Sequence, residues 1–119
     1  MLLNSPIIVA SGTFGYDGYG RGYETFAPLQ YIGAVIPKTF TYLPRQGNPE
    51  PRWYPTSFRQ GTQSGETILL NSVGLTNPGI HEGVEYINNI RPQIPTKLFV
   101  SISGDTVDQF EEMALIVST

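Results

Sequence analysis

The chain has 119 residues, 39% hydrophobic and 14% charged, and its seven Lys and Arg against ten Asp and Glu leave a net charge of -3. That balance provides no basic stripe for nucleic acid, and no apolar run approaches the ~18 residues that cross a bilayer, so a cytoplasmic setting is expected. Zero cysteines and a single histidine exclude disulfides, thiolate metal sites and a Cys nucleophile from this chain, and no metal site is expected.

In chain order, Pro6 to Ala10 is a short apolar run rich in β-branched residues, which predicts a strand buried on both faces. It ends in the small-residue turn Ser11-Gly12-Thr13-Phe14-Gly15. Tyr23 to Tyr31 predicts a short helix with Phe26 and Leu29 inward, limited by Pro28. Gly33 to Pro37 repeats the strand pattern and delivers Lys38 and Thr39 to the same end. Apolar runs separated by helical stretches, with polar residues gathered after each run, predict parallel α/β units.

From Phe40 to Leu69 prolines, glycines and aromatics follow without periodicity. Loops longer than ~12–15 residues in compact domains usually work as lids or binding loops. Thr67 to Leu70 is a candidate strand of a small hairpin within this stretch. Asn77-Pro78 reads as N-cap and first helical residue, with Ile80, Val84 and Ile87 on the buried face and Pro92 and Pro95 as the stop. Lys97 to Ser103 predicts a third strand. Thr106 and Gln109 then form a capping box, and Val107, Phe110, Ala114 and Val117 mark the inward face of the last helix. Three such units leave strand edges and faces uncovered, so the chain is expected to be part of a larger domain.

The chemistry gathers in two places. Lys38 directly follows a strand and is either a solvated loop lysine or an ammonium that reaches an anion. Ser11-Gly12-Thr13 and Ser101-Ile102-Ser103-Gly104 either simply end their strands or let a flat ring approach the backbone. Asn71 carries both acceptor and donors, which suits the C=O and N–H edge of a pyrimidine, or else it caps its own turn. Val73, Gly74 and Leu75 present backbone N–H groups to a carboxylate or form an ordinary tight turn. Asn77 is better explained as a cap than as a ligand contact, and His81 as a surface or packing residue. Arg45 and Arg52 bracket a Gly/Pro-rich turn that they either clamp through backbone carbonyls or use to attract substrate. Tyr42, Trp53, Tyr54 and Phe58 pack the long loop or form a protein contact. One histidine leaves no Ser-His-Asp arrangement, and the glycines after Ser11 do not match a dinucleotide fingerprint.

Ala10-Ser11-Gly12-Thr13-Phe14-Gly15, Pro37-Lys38-Thr39, the segment from Pro44 to Arg52 and Asn71-Ser72-Val73-Gly74-Leu75-Thr76-Asn77-Pro78-Gly79 together resemble the class 1 dihydroorotate dehydrogenases. The nearer resemblance is to the type that works with an iron-sulfur and FAD subunit and passes electrons to NAD. The resemblance implies an α/β fold, the N-terminal portion of a (β/α)8 TIM barrel spanning 1–119 as a partial FMN-binding domain. It implies oxidation of (S)-dihydroorotate to orotate in pyrimidine synthesis, by loss of a proton from C5 and transfer of the C6 hydride to the flavin.

On this resemblance Ala10, Ser11, Gly12, Lys38, Thr39 and Ser101 contact FMN, while Lys38, Asn71, Val73, Gly74 and Leu75 contact the substrate. The implied partners are dihydroorotate and orotate, the rest of the barrel on the same or a complementary chain, a second copy as homodimer, and a subunit carrying FAD and a 2Fe-2S cluster. The family's base is a cysteine on a loop beyond the fourth strand, so no catalytic residue is assigned here and this polypeptide alone is expected to have no turnover. Two alternatives remain at this point: a flavin domain like that of dihydropyrimidine dehydrogenase, and a noncatalytic partial-barrel scaffold.

Overall fold

The computed structural model describes residues 2–15, 29–55 and 69–118. They fall into two compact units, Met1–Pro44 with Asn77–Thr119, and Arg45–Thr76. The Tyr23–Pro28 part of the helix expected over Tyr23 to Tyr31, Phe58, and the Thr67–Ile68 part of the candidate hairpin strand lie outside the described residues, while Leu29–Tyr31 form a short 3-10 helix with Leu29 buried. Among the described residues no helix is long and apolar enough to cross a membrane.

The first unit is built on parallel strands. β1 (Ile8–Val9) pairs with β2 (Ala34–Val35), which pairs in turn with β6 (Lys97–Leu98). The expectation of a first strand buried on both faces is corrected: Ile7 is 60% exposed and Ile8 45%. β1 stands at the edge of its three-stranded sheet, whereas β2 lies between two neighbours and is fully buried. Both runs have the same β-rich composition; position in the sheet, not propensity, separates them.

The third strand is interrupted. After β6 it pairs again as β7 (Ile102–Ser103) with β3 (Phe40–Thr41), also in parallel. Four residues, Ile36 to Thr39, connect β2 to β3, while three, Phe99 to Ser101, connect their partners. The extra residue makes a bulge around Pro37, which has no N–H to give to a ladder. Hydrogen bonds on either side hold it, from Phe99 N to the Val35 carbonyl (3.0 Å) and from Phe40 N to the Ser101 carbonyl (2.9 Å).

Two helices cover this framework. α1 (Ile80–Ile90) buries Ile80, Gly83, Ile87 and Ile90, the face expected from its spacing. A Cβ on Gly83 would come within 2.4 Å of the Phe40 ring, so only glycine lets the helix approach β3 this closely. Its start corrects the expected cap: the N-cap is Gly79, at φ 85°, with no capping side chain. Asn77 is held two residues earlier because its amide serves the strand. Its Oδ1 accepts from Thr41 N (3.0 Å) and Gly79 N (2.9 Å), and its Nδ2 donates to Thr41 Oγ1 (2.8 Å).

α2 (Val107–Val117) begins as expected, with Thr106 Oγ1 accepting from Gln109 N at 3.2 Å. Gln109 reaches back to Asp105 N (2.8 Å) rather than to the cap residue itself. Its inward face is corrected. Met113 is fully buried, with Ile116 and Val117 packed on the core, while Val107 is 80% exposed, Phe110 43%, and Ala114 is also exposed. The sequence holds two apolar stripes at helical spacing, and the one that meets α1 and β7 runs through Met113.

Tyr42, after β3, packs on the core and its phenol hydrogen-bonds Glu112 of α2. That hydrogen bond, then the carboxylate charge, then slight burial push the phenol above its ordinary value of 10.0. Because the shift is upward, the contact is present at neutral pH and is lost as pH rises through the raised Tyr42 value. In an ultraviolet titration we expect Tyr42 to ionise at higher pH than a free tyrosine and Glu112→Gln to bring it back toward the ordinary value. An unchanged titration in that variant would show that the pair does not form.

Candidate functional site

In the first unit, the carboxyl ends of the strands bring together six residues singled out in the sequence: Ala10, Ser11, Gly12, Lys38, Thr39 and Ser101. After β1 the chain turns at once, with Thr13 N donating to the Ala10 carbonyl at 3.3 Å. Gly12 sits at φ 87°, a conformation that strains any residue with a Cβ. A Cβ there would meet Lys38 Cδ at 3.8 Å and Nζ at 3.9 Å, ordinary contact distances. The conformation rather than the space calls for glycine, and the lysine stem lies along this turn.

The bulge around Pro37 sets the rest of the cluster. Lys38 N donates to the Gly15 carbonyl at 2.8 Å, which fixes its backbone. Its side chain is half-buried, and no carboxylate among the described residues pairs with it. Ser11 Oγ donates to the Pro37 carbonyl at 2.9 Å and lies 2.8 Å from Thr39 Oγ1, which lies 2.9 Å from Ser101 Oγ. Three hydroxyls from three separate strand ends thus form one row. The Pro37 carbonyl is a member that residue-type reasoning missed; a proline inside a strand run, which marks a bulge, was the available signal.

The second unit holds the other expected substrate contacts, Asn71, Val73, Gly74 and Leu75. β4 (Trp53–Tyr54) pairs antiparallel with β5 (Leu70–Asn71), so Leu70 of the expected hairpin strand is paired and Asn71 continues it. Asn71 stands opposite Trp53 and is exposed. Among the described residues its amide has no hydrogen-bond partner, so it does not cap its own turn. Val73 gives its carbonyl to Asn48 N (3.0 Å). Gly74 and Leu75 both have positive φ, 79° and 57°. A Cβ at Gly74 would lie 2.6 Å from Asn48 N, so close packing against that segment needs glycine there.

Arg52 takes the clamping role in this unit. Its Nε donates to the Asn48 carbonyl (2.6 Å), and its terminal nitrogens to the Gln46 carbonyl (3.1 Å) and Thr76 Oγ1 (3.3 Å). Glu50 pairs with the same Nε at 3.2 Å. A rigid planar fork is suited to holding several carbonyls at once. Trp53 and Tyr54 are exposed on the hairpin. His81 is likewise exposed in the first turn of α1, and Asn77 is 5% exposed and committed to Thr41 and Gly79.

Parallel strands whose carboxyl ends gather a lysine, a positive-φ glycine and a hydroxyl row define an α/β protein, a class in which ligand sites commonly lie at those ends. The dihydroorotate dehydrogenase family profile matches residues 1–118, and the chain belongs to that family. It is 38% identical over 112 residues to the dihydroorotate dehydrogenase B (NAD(+)) catalytic subunit of Thermoanaerobacter pseudethanolicus, covering 94% of this chain and 33% of that protein. The same subunit of Porphyromonas gingivalis is 35% identical over 118 residues, 99% of this chain and 34% of the relative. That of Alkaliphilus metalliredigens is 39% identical over 111 residues, 93% and 33% respectively. The chain spans about a third of the length of the curated relatives it matches.

Proposed function

We propose that residues 1–119 form the first β/α units of an FMN-binding (β/α)8 barrel whose whole protein oxidises (S)-dihydroorotate to orotate. The electrons pass through a partner subunit carrying FAD and a 2Fe-2S cluster to NAD. The observation that carries this reading is the family match over nearly the whole chain. The names of the relatives, NAD(+)-linked catalytic subunits, favour the partner-dependent type.

The strand ends suit a flat flavin ring. Ala10 and Ser11 are small and exposed, Gly12 keeps the turn free of a side chain, and Thr39 and Ser101 add hydroxyls. When bound, the flavin supplies the sink for the substrate hydride. The chain's own residues bind and orient. Lys38 places a positive charge on a half-buried stem for an anionic substrate, and Asn71 presents a donor and an acceptor to an amide edge. With no cysteine in these 119 residues, the base used by this family is supplied by another segment.

Orotate titration of the flavin absorbance of the whole protein tests this. Losing a hydrogen bond to a charged group costs about 1.5–3 kcal/mol and a neutral one about 0.5–1.5 kcal/mol, so Lys38→Met should weaken orotate about tenfold or more and Asn71→Ala, which loses both a donor and an acceptor contact, by a comparable factor, with uracil a poorer ligand than orotate. Unchanged orotate affinity in both variants, or equal affinity for uracil, would overturn the assignment.

A further inference from the structure

The hydroxyl row at the strand ends has only one self-consistent proton arrangement. A carbonyl oxygen can only accept, so the Ser11 Oγ contact with the Pro37 carbonyl, 2.9 Å, uses the proton of Ser11. A serine hydroxyl has one proton. The 2.8 Å contact between Ser11 and Thr39 is therefore donated by Thr39, and the 2.9 Å contact between Thr39 and Ser101 by Ser101. Every proton points from Ser101 toward Pro37. Among the described residues no group donates to Ser101 Oγ, which is left with lone pairs and no proton to offer.

We propose that Ser101 meets the bound ligand as a hydrogen-bond acceptor and selects a planar heterocycle that presents a ring N–H. Thr39 and Ser11 are positioning residues that hold it in that state. This inference rests on the reading of the strand ends as the ligand site, and it specifies which edge of a ligand they accept. The bulge is what orders the row: it turns the Pro37 carbonyl toward Ser11, and a proline there gives up no N–H that could compete for the ring. Both the flavin and the pyrimidine substrate own ring N–H groups, so the shared chemistry is a lactam or imide N–H and the test separates the two.

Apoprotein is titrated with FMN and with FMN methylated at the imide nitrogen, and the FMN-loaded protein with orotate and its two N-methyl derivatives. The unmodified protein should favour the N–H form over one methylated form by about tenfold, the worth of one hydrogen bond. The flavin pair or the orotate pair that shows this identifies the ligand. Ser101→Ala should abolish the preference, which a simple clash between Ser101 and the methyl group would also explain. Thr39→Val decides between them: it leaves Ser101 in place but frees its proton, so the preference should collapse, whereas a clash would persist. Thr39→Ser should restore it. Ser11→Ala, which unties the far end of the row, should reduce it and serves equally if Thr39→Val does not fold. A preference that survives both Thr39→Val and Ser11→Ala, or its absence from both ligand pairs, overturns the inference while leaving the site itself standing. Failure to bind FMN or orotate at all would instead overturn the functional reading, and this inference with it.

Discussion

Phe40→Ala should lower the unfolding free energy of the protein by about 3–5 kcal/mol, the range for emptying a buried aromatic site. Phe40 is fully buried on β3, and its ring lies directly under Gly83 of α1. The cavity would open between the strand that ends the bulge and the helix that covers it. Two features keep the surroundings from collapsing into it. Gly83 has no side chain to move inward, and β3 is tied by its backbone to Ser101 and by Thr41 to Asn77. Denaturant unfolding followed by far-ultraviolet circular dichroism measures the loss. A change below about 1 kcal/mol, typical of tolerated surface substitutions, would mean that this ring is not at the centre of the packing. The converse change, Gly83→Val, should also destabilise by overpacking against the same ring.

Asn77→Ala should be the second large effect, and it separates a structural amide from a ligand contact. The substitution leaves Thr41 N and Gly79 N without their acceptor in a buried position, at about 1–3 kcal/mol for each unsatisfied group. Asn77→Asp should cost less, because a carboxylate oxygen still accepts both N–H groups. It remains imperfect, since the Thr41 hydroxyl gives its proton to the Leu43 carbonyl at 2.6 Å and needs a donor from position 77. Unfolding midpoints should therefore rank wild type above Asp above Ala, while orotate affinity measured on folded protein stays unchanged. Preserved stability with weakened orotate binding would reverse the assignment and make Asn77 a ligand contact.

Much of the fold was legible because its physical causes are local. Gly33 to Pro37 is a short apolar run rich in branched residues, and it became the buried central strand. Ile80, Val84 and Ile87 recur at helical spacing, and their helix packs on that side. Thr106 followed by Gln109 places a hydroxyl where it can accept a backbone N–H, which it does. Each of these depends on residues within a few positions of one another.

The errors share a different cause. Pro6 to Ala10 has the same composition as the central strand, yet which strand has two neighbours depends on pairing with residues far away in the chain. Val107, Phe110 and Ala114 have the same periodicity as the stripe through Met113, and contact with α1 and β7 chose between them. Asn77 looked like a cap because an asparagine before a proline usually is one. Thr41, thirty-six residues earlier, claimed its amide instead.

By itself, then, the sequence determined the parallel β/α character, the positions of α1 and α2, the family, and the residue types standing at the strand ends, since these follow from composition, short-range spacing and shared motifs. Only the tertiary structure decided the register slip around Pro37 and the meeting of Ser11, Thr39 and Ser101 in a single row. A one-residue bulge leaves no periodic trace in the chain, and a hydroxyl has no partner, and so no proton direction, until folding brings distant strand ends within 3 Å.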